Sequence, residues 1–408
     1  MPKKAIILIE GHTRGPGLLY VEAARRLGLH PITLSIDPTR YDYLRAESTE
    51  AIRVDTNSLD AMIRECSQLG KEYDIVGVTS AAQSCCVTVG KLCQHFELPG
   101  PNPALTERCN DKFTQRQLLA EAGLPLPAYR LAANVTDVEI SAAEIGLPVI
   151  VKPAAGIGSI GVRLCRNLDE VAEHTTYLLS GKHVWASSPR ILIEEFAQGP
   201  YYLAHIMGNE VIGIEGGDSG PPPYFVFREG IFPALLTDEE QERIADVSLS
   251  CLRALDLDWG PTCIEFRWTM RGPVVIEVNP RLAGVPCPQL VQLAYGVDLI
   301  TEHIKLAIGE DWNLHKRHSQ TAASRLLVPD NDGILDWIAD NRATDVPGVA
   351  EVKFYVKHET PIVRRGDLRD LIGHVLAASP SPAQTEAIVQ RAVDLIEWSI
   401  KPFPALGE

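Results

Sequence analysis

Hydrophobic positions in the first hundred residues fall into short unbroken runs, each followed by a turn and then by apolar residues at helical spacing. Lys4 to Glu10 (KAIILIE) is the first run; Gly11, Gly15 and Gly17 follow, and Leu18 to Leu27 then reads as a helix. Unbroken runs of this length predict strands buried on both faces, and their alternation with helices predicts a parallel sheet. His30 to Ile36 and Asp74 to Thr79 repeat the pattern, so residues 1 to about 100 form a small doubly wound α/β unit. The proline-rich Leu98 to Pro103 closes it, because proline disfavours both continued helix and a central strand.

Beyond that segment the pattern changes. Asp111 to Ala122 reads as a helix ending at Gly123, and Leu147 to Lys152 (LPVIVK) as a strand running into a glycine-rich loop. Ile191 to Phe196, Tyr201 to Met207 and Glu210 to Ile214 read as strands, Gly216 to Pro223 as a loop, and Asp238 to Leu255 as a helix. Thr262 to Trp268 and Val274 to Asn279 alternate apolar and polar residues around the turn Met270 to Pro273, which predicts a hairpin. Residues 320 to 398 show further strand and helix patterns but no motif that carries chemistry.

Composition narrows the function classes. A chain of 408 residues with 45% hydrophobic and 22% charged residues is ordinary for two or three globular domains. Its net charge of -15 argues against a phosphate-backbone partner and for small-molecule chemistry. Nine cysteines without CxxC spacing read as reduced thiols in the cytoplasm, and no run reaches the length of a membrane span or signal peptide.

Two segments carry chemistry. Ala154 to Val162 (AAGIGSIGV) follows Lys152, and Gly156, Gly158 and Gly161, with Ser159 among them, let backbone N–H groups approach phosphate oxygens; a plain tight turn is the alternative. The loop lacks the GK[ST] ending of a P-loop, and the amino-terminal GHTRGPG, a competing candidate, matches no phosphate fingerprint either. The stronger signal is Cys263 to Pro280 (CIEFRWTMRGPVVIEVNP). Glu265 and Glu277 fall on opposite arms of the hairpin, and period two puts Asn279 on the face of Glu277. Three oxygen ligands embedded among apolar residues suit Mg²⁺ better than they suit a solvent-facing strand, because unpaired buried charge is costly. Arg281 would add a guanidinium beside that site, with a structural ion pair as its alternative. His205, on the strand after Phe196, is either a ligand-facing or a satisfied structural residue.

Lys112, Lys152 in VKP, the glycine loop, the acidic hinge Glu194-Glu195-Phe196 and the ending Glu265, Glu277, Asn279, Arg281 occur together in the order of the ATP-grasp superfamily. The resemblance covers about residues 1 to 310. With the VNPRLAG of Val278 to Gly284, the chain resembles most the L-amino-acid ligases that make dipeptides, relatives of bacilysin synthetase. It implies an ATP-grasp architecture: an amino-terminal α/β domain over 1–103, a small lid subdomain over 104–196, and a large subdomain with a carboxy-terminal extension over 197–408, with the nucleotide between the two α+β subdomains.

Carried over, the resemblance implies that Lys112 and Lys152 neutralise nucleotide phosphates, the loop from Gly156 to Gly161 closes over them, and Glu194, Glu195, Phe196 and Ala197 edge the adenine. Glu265, Glu277 and Asn279 would hold two Mg²⁺, with Mn²⁺ an acceptable substitute. Arg281 would stabilise an acyl phosphate and the tetrahedral intermediate, and Gly284 and His205 would face the acid substrate. One departure stands out: Gly199-Pro200-Tyr201 occupies the turn where many relatives place a ribose-contacting Glu, and Tyr201 replaces it only in part. The implied activity joins an amino acid or small carboxylic acid to an amino acid, with release of ADP and phosphate, in dipeptide, antibiotic or secondary-metabolite synthesis. A homodimer is the default assembly. Other readings stay open: a purine-pathway or carboxylase-type ATP-grasp ligase, a catalytically silent nucleotide-binding protein, or an oxidoreductase, the last disfavoured because GHTRGPG is not GxGxxG.

Overall fold

The apolar runs become strands where expected. In the computed structural model, which describes residues 2–13, 15–46, 49–180 and 190–404, β1 (Lys3–Ile9), β2 (His30–Ser35), β3 (Glu50–Arg53) and β4 (Tyr73–Thr79) form a parallel sheet in the order β3-β2-β1-β4. Order reverses between β1 and β4. The described residues after those two strands, 11–13, 15–16 and 80–84, therefore stand at the crevice where ligands of open α/β sheets bind.

Of GHTRGPG, Arg14 lies outside the described residues. The glycine that opens the first helix has a local reason: a Cβ on Gly17 would lie 1.7 Å from the Glu10 carboxylate. Space beside that helix start is thus taken by a protein side chain. Burial outweighs the Tyr43 hydroxyl, which donates to Glu10 over 2.7 Å, and pushes the Glu10 carboxyl up to about 7. A raised folded-state value means that this group favours the fold fully below pH 4.5, its ordinary value, and progressively less as pH rises through 7. Glu10→Gln is expected to gain about 1–3 kcal/mol over the parent chain at pH 8 and nothing at pH 4.5, measured by denaturant midpoints at both pH values.

The second sheet is small and antiparallel: β5 (Tyr129–Ala132), β6 (Val149–Pro153), β7 (Arg163–Cys165) and β8 (Ile191–Glu195) in the order β5-β8-β6-β7. Helices Val135–Ile145 and Leu168–Leu179 cover one face through Val138, Ala142, Val171 and Leu178. Helices Pro103–Asn110 and Lys112–Glu121 do not join this core. Their Cys109 and Leu119 are buried with Ile244, Leu252 and Phe266 of the next unit, so these two helices pack with the large sheet.

That next unit is built on eight strands. Following β9 (Tyr201–Met207), β10 (Glu210–Asp218), β11 (Glu229–Phe232), β12 (Pro261–Thr269), β13 (Gly272–Asn279) and β14 (Thr321–Leu327) come β15 (Gly333–Ala339), β16 (Val349–Phe354), β17 (Pro361–Ile362), β18 (Gly373–Ser379) and β19 (Glu397–Lys401). The large sheet runs β13-β12-β9-β10-β11-β14-β18-β16, and β17-β15-β19 form a third antiparallel sheet. Helix Asp238–Leu255 forms where the sequence predicts it and starts with a capping box of Thr237 and Glu240. A single core joins Ile6, Leu8 and Tyr20 of the parallel domain to Phe232, Leu290 and Ile304, so the amino-terminal domain is packed onto the large sheet. The carboxy-terminal extension, silent in sequence, supplies three strands of that sheet or its edge and buries Leu335, Ile362 and Val375 in a core of its own.

Candidate functional site

A cavity of about 860 Å³ opens where the parallel domain, the lid and the large sheet meet. Such a volume is in the range that holds a small molecule largely buried. Its walls include Lys112, Lys152, the glycine loop, the hinge residues 194–197, Tyr201, Glu265, Glu277, Asn279, Arg281 and Gly284.

The hairpin of β12 and β13 sets the centre. Pairing places Glu265 directly opposite Glu277 and Cys263 opposite Asn279. Asn279 Nδ2 donates to Glu265 Oε1 over 3.3 Å, whereas the buried Asn279 Oδ1 has no hydrogen-bond partner among the described residues. Burial and the neighbouring Glu277 raise the Glu265 carboxyl, and the Tyr201 hydroxyl, hydrogen-bonded to it, only partly offsets them. Burial acts on Glu277 too, but Lys112, Lys152 and Arg281 outweigh it and hold that carboxyl low. Two facing carboxylates and an orphaned amide oxygen are a hard-oxygen donor set that fits Mg²⁺.

Cations surround this centre. Lys112 is the first residue of a helix capped by Asp111, and its ammonium donates to Glu277 Oε1 over 2.6 Å and to the Gly156 carbonyl over 2.8 Å. It ties the glycine loop to the carboxylates. Lys152, on β6, meets Glu194 Oε2 at 2.5 Å, and the fully buried Arg116 meets Glu194 Oε1 at 2.6 Å. One carboxylate thus serves two cations. Burial is countered by Arg116 and Lys152, which keep the Glu194 carboxyl low, while burial together with Arg116 and Lys112 depresses Lys152. Surplus positive charge at Lys152 suits an incoming phosphate oxygen.

The glycine loop needs its glycines for conformation and for contact. Gly156, Gly158, Ser159 and Gly161 all have positive φ, and a Cβ on Gly158 would lie 1.6 Å from Leu368 Cδ2. Leu368 N–H donates to the Gly158 carbonyl over 3.1 Å, and Ser159 Oγ donates to the Phe225 carbonyl over 2.9 Å. The carboxy-terminal extension therefore buttresses the loop. Along the hinge, Glu195 is tied to Arg271 by 2.8 and 2.9 Å bonds, and Phe196 tilts against Phe225 with centroids 6.1 Å apart. Buried Ala197 and half-buried Ile150 join the two Phe rings as apolar lining of the cavity.

Tyr201 lines the cavity, but its hydroxyl is engaged with Glu265 and its ring lies 5.1 Å under the Arg267 guanidinium. A Cβ on Gly284 would meet nothing within 4 Å, so that position faces open space. His205 requires a correction. It lies off the cavity wall, buried, with Nε2 2.8 Å from Glu215 Oε2 and its ring edge-on to Phe232 at 5.7 Å. It shares a strand face with Tyr201, but four residues at about 3.3 Å each carry it past the end of the cavity.

Sequence reasoning missed Arg116, Leu368 and Gln83. Gln83, just after β4, accepts the Arg281 Nε–H over 2.9 Å, while Arg281 Nη1 donates to the Leu282 carbonyl over 2.8 Å. The amino-terminal domain thereby aims the guanidinium. No local signal marks these residues, because each acts through a partner distant in sequence. Among the described residues no cluster of three His, Cys, Asp or Glu forms a metal site.

Comparison with known proteins adds family evidence. The ATP-grasp domain model matches residues 145–289, and the model of L-amino acid ligase C-terminal domain 2 matches 325–401. The chain is 61% identical over 407 residues to an uncharacterized protein, y4rH, of Sinorhizobium fredii, covering 100% of this chain and 85% of that one. It is 27% identical over 316 residues to human carnosine synthase 1, covering 71% of this chain but only 38% of the synthase. An L-amino acid ligase from Bacillus licheniformis superposes with a TM-score of 0.82 at 20% identity, over 98% of this chain and 100% of that one. The biotin carboxylase domain of Hydrogenobacter thermophilus 2-oxoglutarate carboxylase, solved with MgADP, ADP and bicarbonate, superposes at 0.75 with 20% identity, over 98% and 92%.

Proposed function

The chain belongs to the ATP-grasp carboxylate–amine ligases, and on that premise we propose that it joins a carboxylic acid to the amino group of an amino acid through an acyl phosphate, releasing ADP and phosphate. The observation that carries this reading is the register of β12 and β13. It sets Glu265 against Glu277 beside an unpartnered Asn279 oxygen, in one cavity with Lys112, Lys152 and Arg281. Glu265, Glu277 and Asn279 would hold Mg²⁺, which when bound offsets triphosphate charge.

The other tasks belong to the chain. A carboxylate is a poor electrophile until it carries a phosphoryl leaving group, and that transfer needs alignment and charge neutralisation more than covalent help. Lys152 and Lys112 meet phosphate oxygens, the loop at Gly156 to Gly161 covers them, and Phe196 and Ala197 edge the base. Arg281, aimed by Gln83, faces the oxyanion that forms as the amine attacks. Closure of the loop against Leu368 excludes water that would hydrolyse the intermediate. Nine cysteines, all free and buried, suit the reducing, ATP-rich cytoplasm, and among the described residues no helix is long and apolar enough to cross a membrane.

Phosphate release from ATP and Mg²⁺ with pooled amino acids and small acids, followed by mass spectrometry, tests the proposal. A product equal to two substrates less water supports it. Nucleotide binding without release from any pool would favour a silent nucleotide-binding protein.

A further inference from the structure

The register that opposes Glu265 and Glu277 continues across the large sheet and fixes what stands beside them. On β9, Leu203 is directly opposite Glu265 and Tyr201 opposite Arg267; on β10, Glu215 is opposite Leu203 and Gly217 opposite Tyr201. Directly paired residues project to one face, so Leu203 lies one strand, about 4.8 Å, from Glu265. Tyr201 is beside it, with its hydroxyl hydrogen-bonded to Glu265. Leu203, Cys263, Ala283 and Cys287 form one contact cluster with Tyr201 and Phe227 packed against it, and all six line the cavity. Cys263 is opposite Asn279, and Ala283 follows Arg281 by two residues, so the cluster adjoins both the donor set and the guanidinium.

The cluster is apolar and fitted. Burial, with the Glu265 carboxylate beside Cys263 and that of Glu215 beside Cys287, pushes both thiols far up, so they stay protonated and act as small apolar groups. The Phe227 and Tyr201 rings lie with centroids 6.0 Å apart, and a Cβ on Gly217 would come within 2.5 Å of Phe227 and 3.1 Å of Tyr201. Glycine at 217 therefore makes room for both rings. The charged groups that border the cluster are committed elsewhere. Arg267 lies over the Tyr201 ring and donates to the Gly199 carbonyl over 3.0 Å and to Ser219 Oγ over 2.9 Å. Glu215 is fully buried off the cavity wall, with Oε2 2.8 Å from His205 Nε2. Its Oε1 turns toward Gly230 of β11, whose Cβ would lie 2.3 Å away, on the side of β10 remote from Glu265.

An acid whose carboxylate is activated beside Glu265 and Arg281 lays its next carbons against this cluster. A charge or hydroxyl buried there loses hydration without a side-chain partner, whereas each methylene gains by leaving water. Resting on the ligase reading, we infer that the acid partner is a monocarboxylic acid with an apolar body, alkyl or aryl, and that Leu203 and Phe227 select it.

The test uses the whole protein saturated with MgADP. Calorimetric binding is compared for propionate, butyrate, valerate and succinate, and for 4-hydroxybutyrate and 4-aminobutyrate, which put a hydroxyl or an ammonium in place of the terminal methyl of valerate. Phosphate release from ATP is followed with the same acids and pooled amino acids. Affinity is expected to rise about fourfold per methylene from propionate to valerate. Valerate is expected to bind about tenfold or more tighter than its hydroxy and amino counterparts or succinate. Phe227→Ser and Leu203→Ser are each expected to weaken valerate about tenfold and flatten the series, with MgADP affinity kept. The series on the parent chain decides even where a variant fails to fold. Affinity that does not rise with chain length, or tighter binding of 4-aminobutyrate, 4-hydroxybutyrate or succinate than of valerate, overturns the inference even if those acids are turned over. A rising series left unchanged by both folded variants overturns the assignment of Leu203 and Phe227. A rising series with no phosphate release upholds the apolar acid site and instead overturns the ligase reading.

Discussion

Glu277→Gln is expected to lower amine-dependent phosphate release by about 10³-fold or more while leaving the four sheets intact. Glu277 sits between two duties: it faces Glu265 across the hairpin and accepts from the buried Lys112 over 2.6 Å. A neutral amide keeps the volume and one acceptor oxygen but removes the charge that both a divalent cation and Lys112 require. The burial that raises Glu265 would remain, while the repulsion from Glu277 that raises it further would vanish. The variant should therefore lose Mg²⁺-dependent tightening of nucleotide binding more than it loses nucleotide binding itself. Steady-state phosphate release, circular dichroism and titration of a fluorescent ATP analogue with and without Mg²⁺ check the three parts. Normal turnover in this variant would remove the hairpin from the reaction.

Much of that hairpin was legible because its information is local. Alternation over β12 and β13 and the polar turn between them set the register that opposes Glu265 and Glu277. Lys152 and the glycine loop were legible for the same reason, since a strand ending in a lysine before a run of glycines is a contiguous pattern. Gln83 was not, because its meaning lies in a bond to Arg281, 198 residues away. Tyr355, Ile362 and Leu371 line the cavity and Leu368 holds the glycine loop, yet Leu368 contributes an ordinary apolar contact and a backbone N–H, neither of which leaves a mark in sequence. His205 was ambiguous because β9 is buried on both faces from Leu203 to Met207, so alternation there does not separate core from solvent.

Arg116 shows how far stability and site geometry depend on one such silent residue. Its side chain is fully buried in the helix after Asp111, bonds Glu194 Oε1 at 2.6 Å, and donates through Nη2 to the Ile276 carbonyl on β13. It thereby joins β8 to the hairpin of β12 and β13. Arg116→Met preserves much of the volume but leaves Glu194 with Lys152 alone and strands the Ile276 carbonyl. Removing one member of a buried ion cluster costs about 3–5 kcal/mol, because the remaining charges keep their desolvation penalty without full compensation. The Glu194 carboxyl, held low by Arg116 and Lys152 against burial, should rise. A depressed folded-state value stabilises above the ordinary carboxylate range and is lost as pH falls through it, so the variant's deficit should be largest at neutral pH and narrow in acid. Lys152, drawn fully onto Glu194, would then be less available to phosphate, and ATP affinity should fall with stability. Denaturant midpoints at pH 7 and pH 4 and calorimetric ATP titration test both effects. A pH-independent deficit with unchanged ATP affinity would mean that Arg116 serves packing alone.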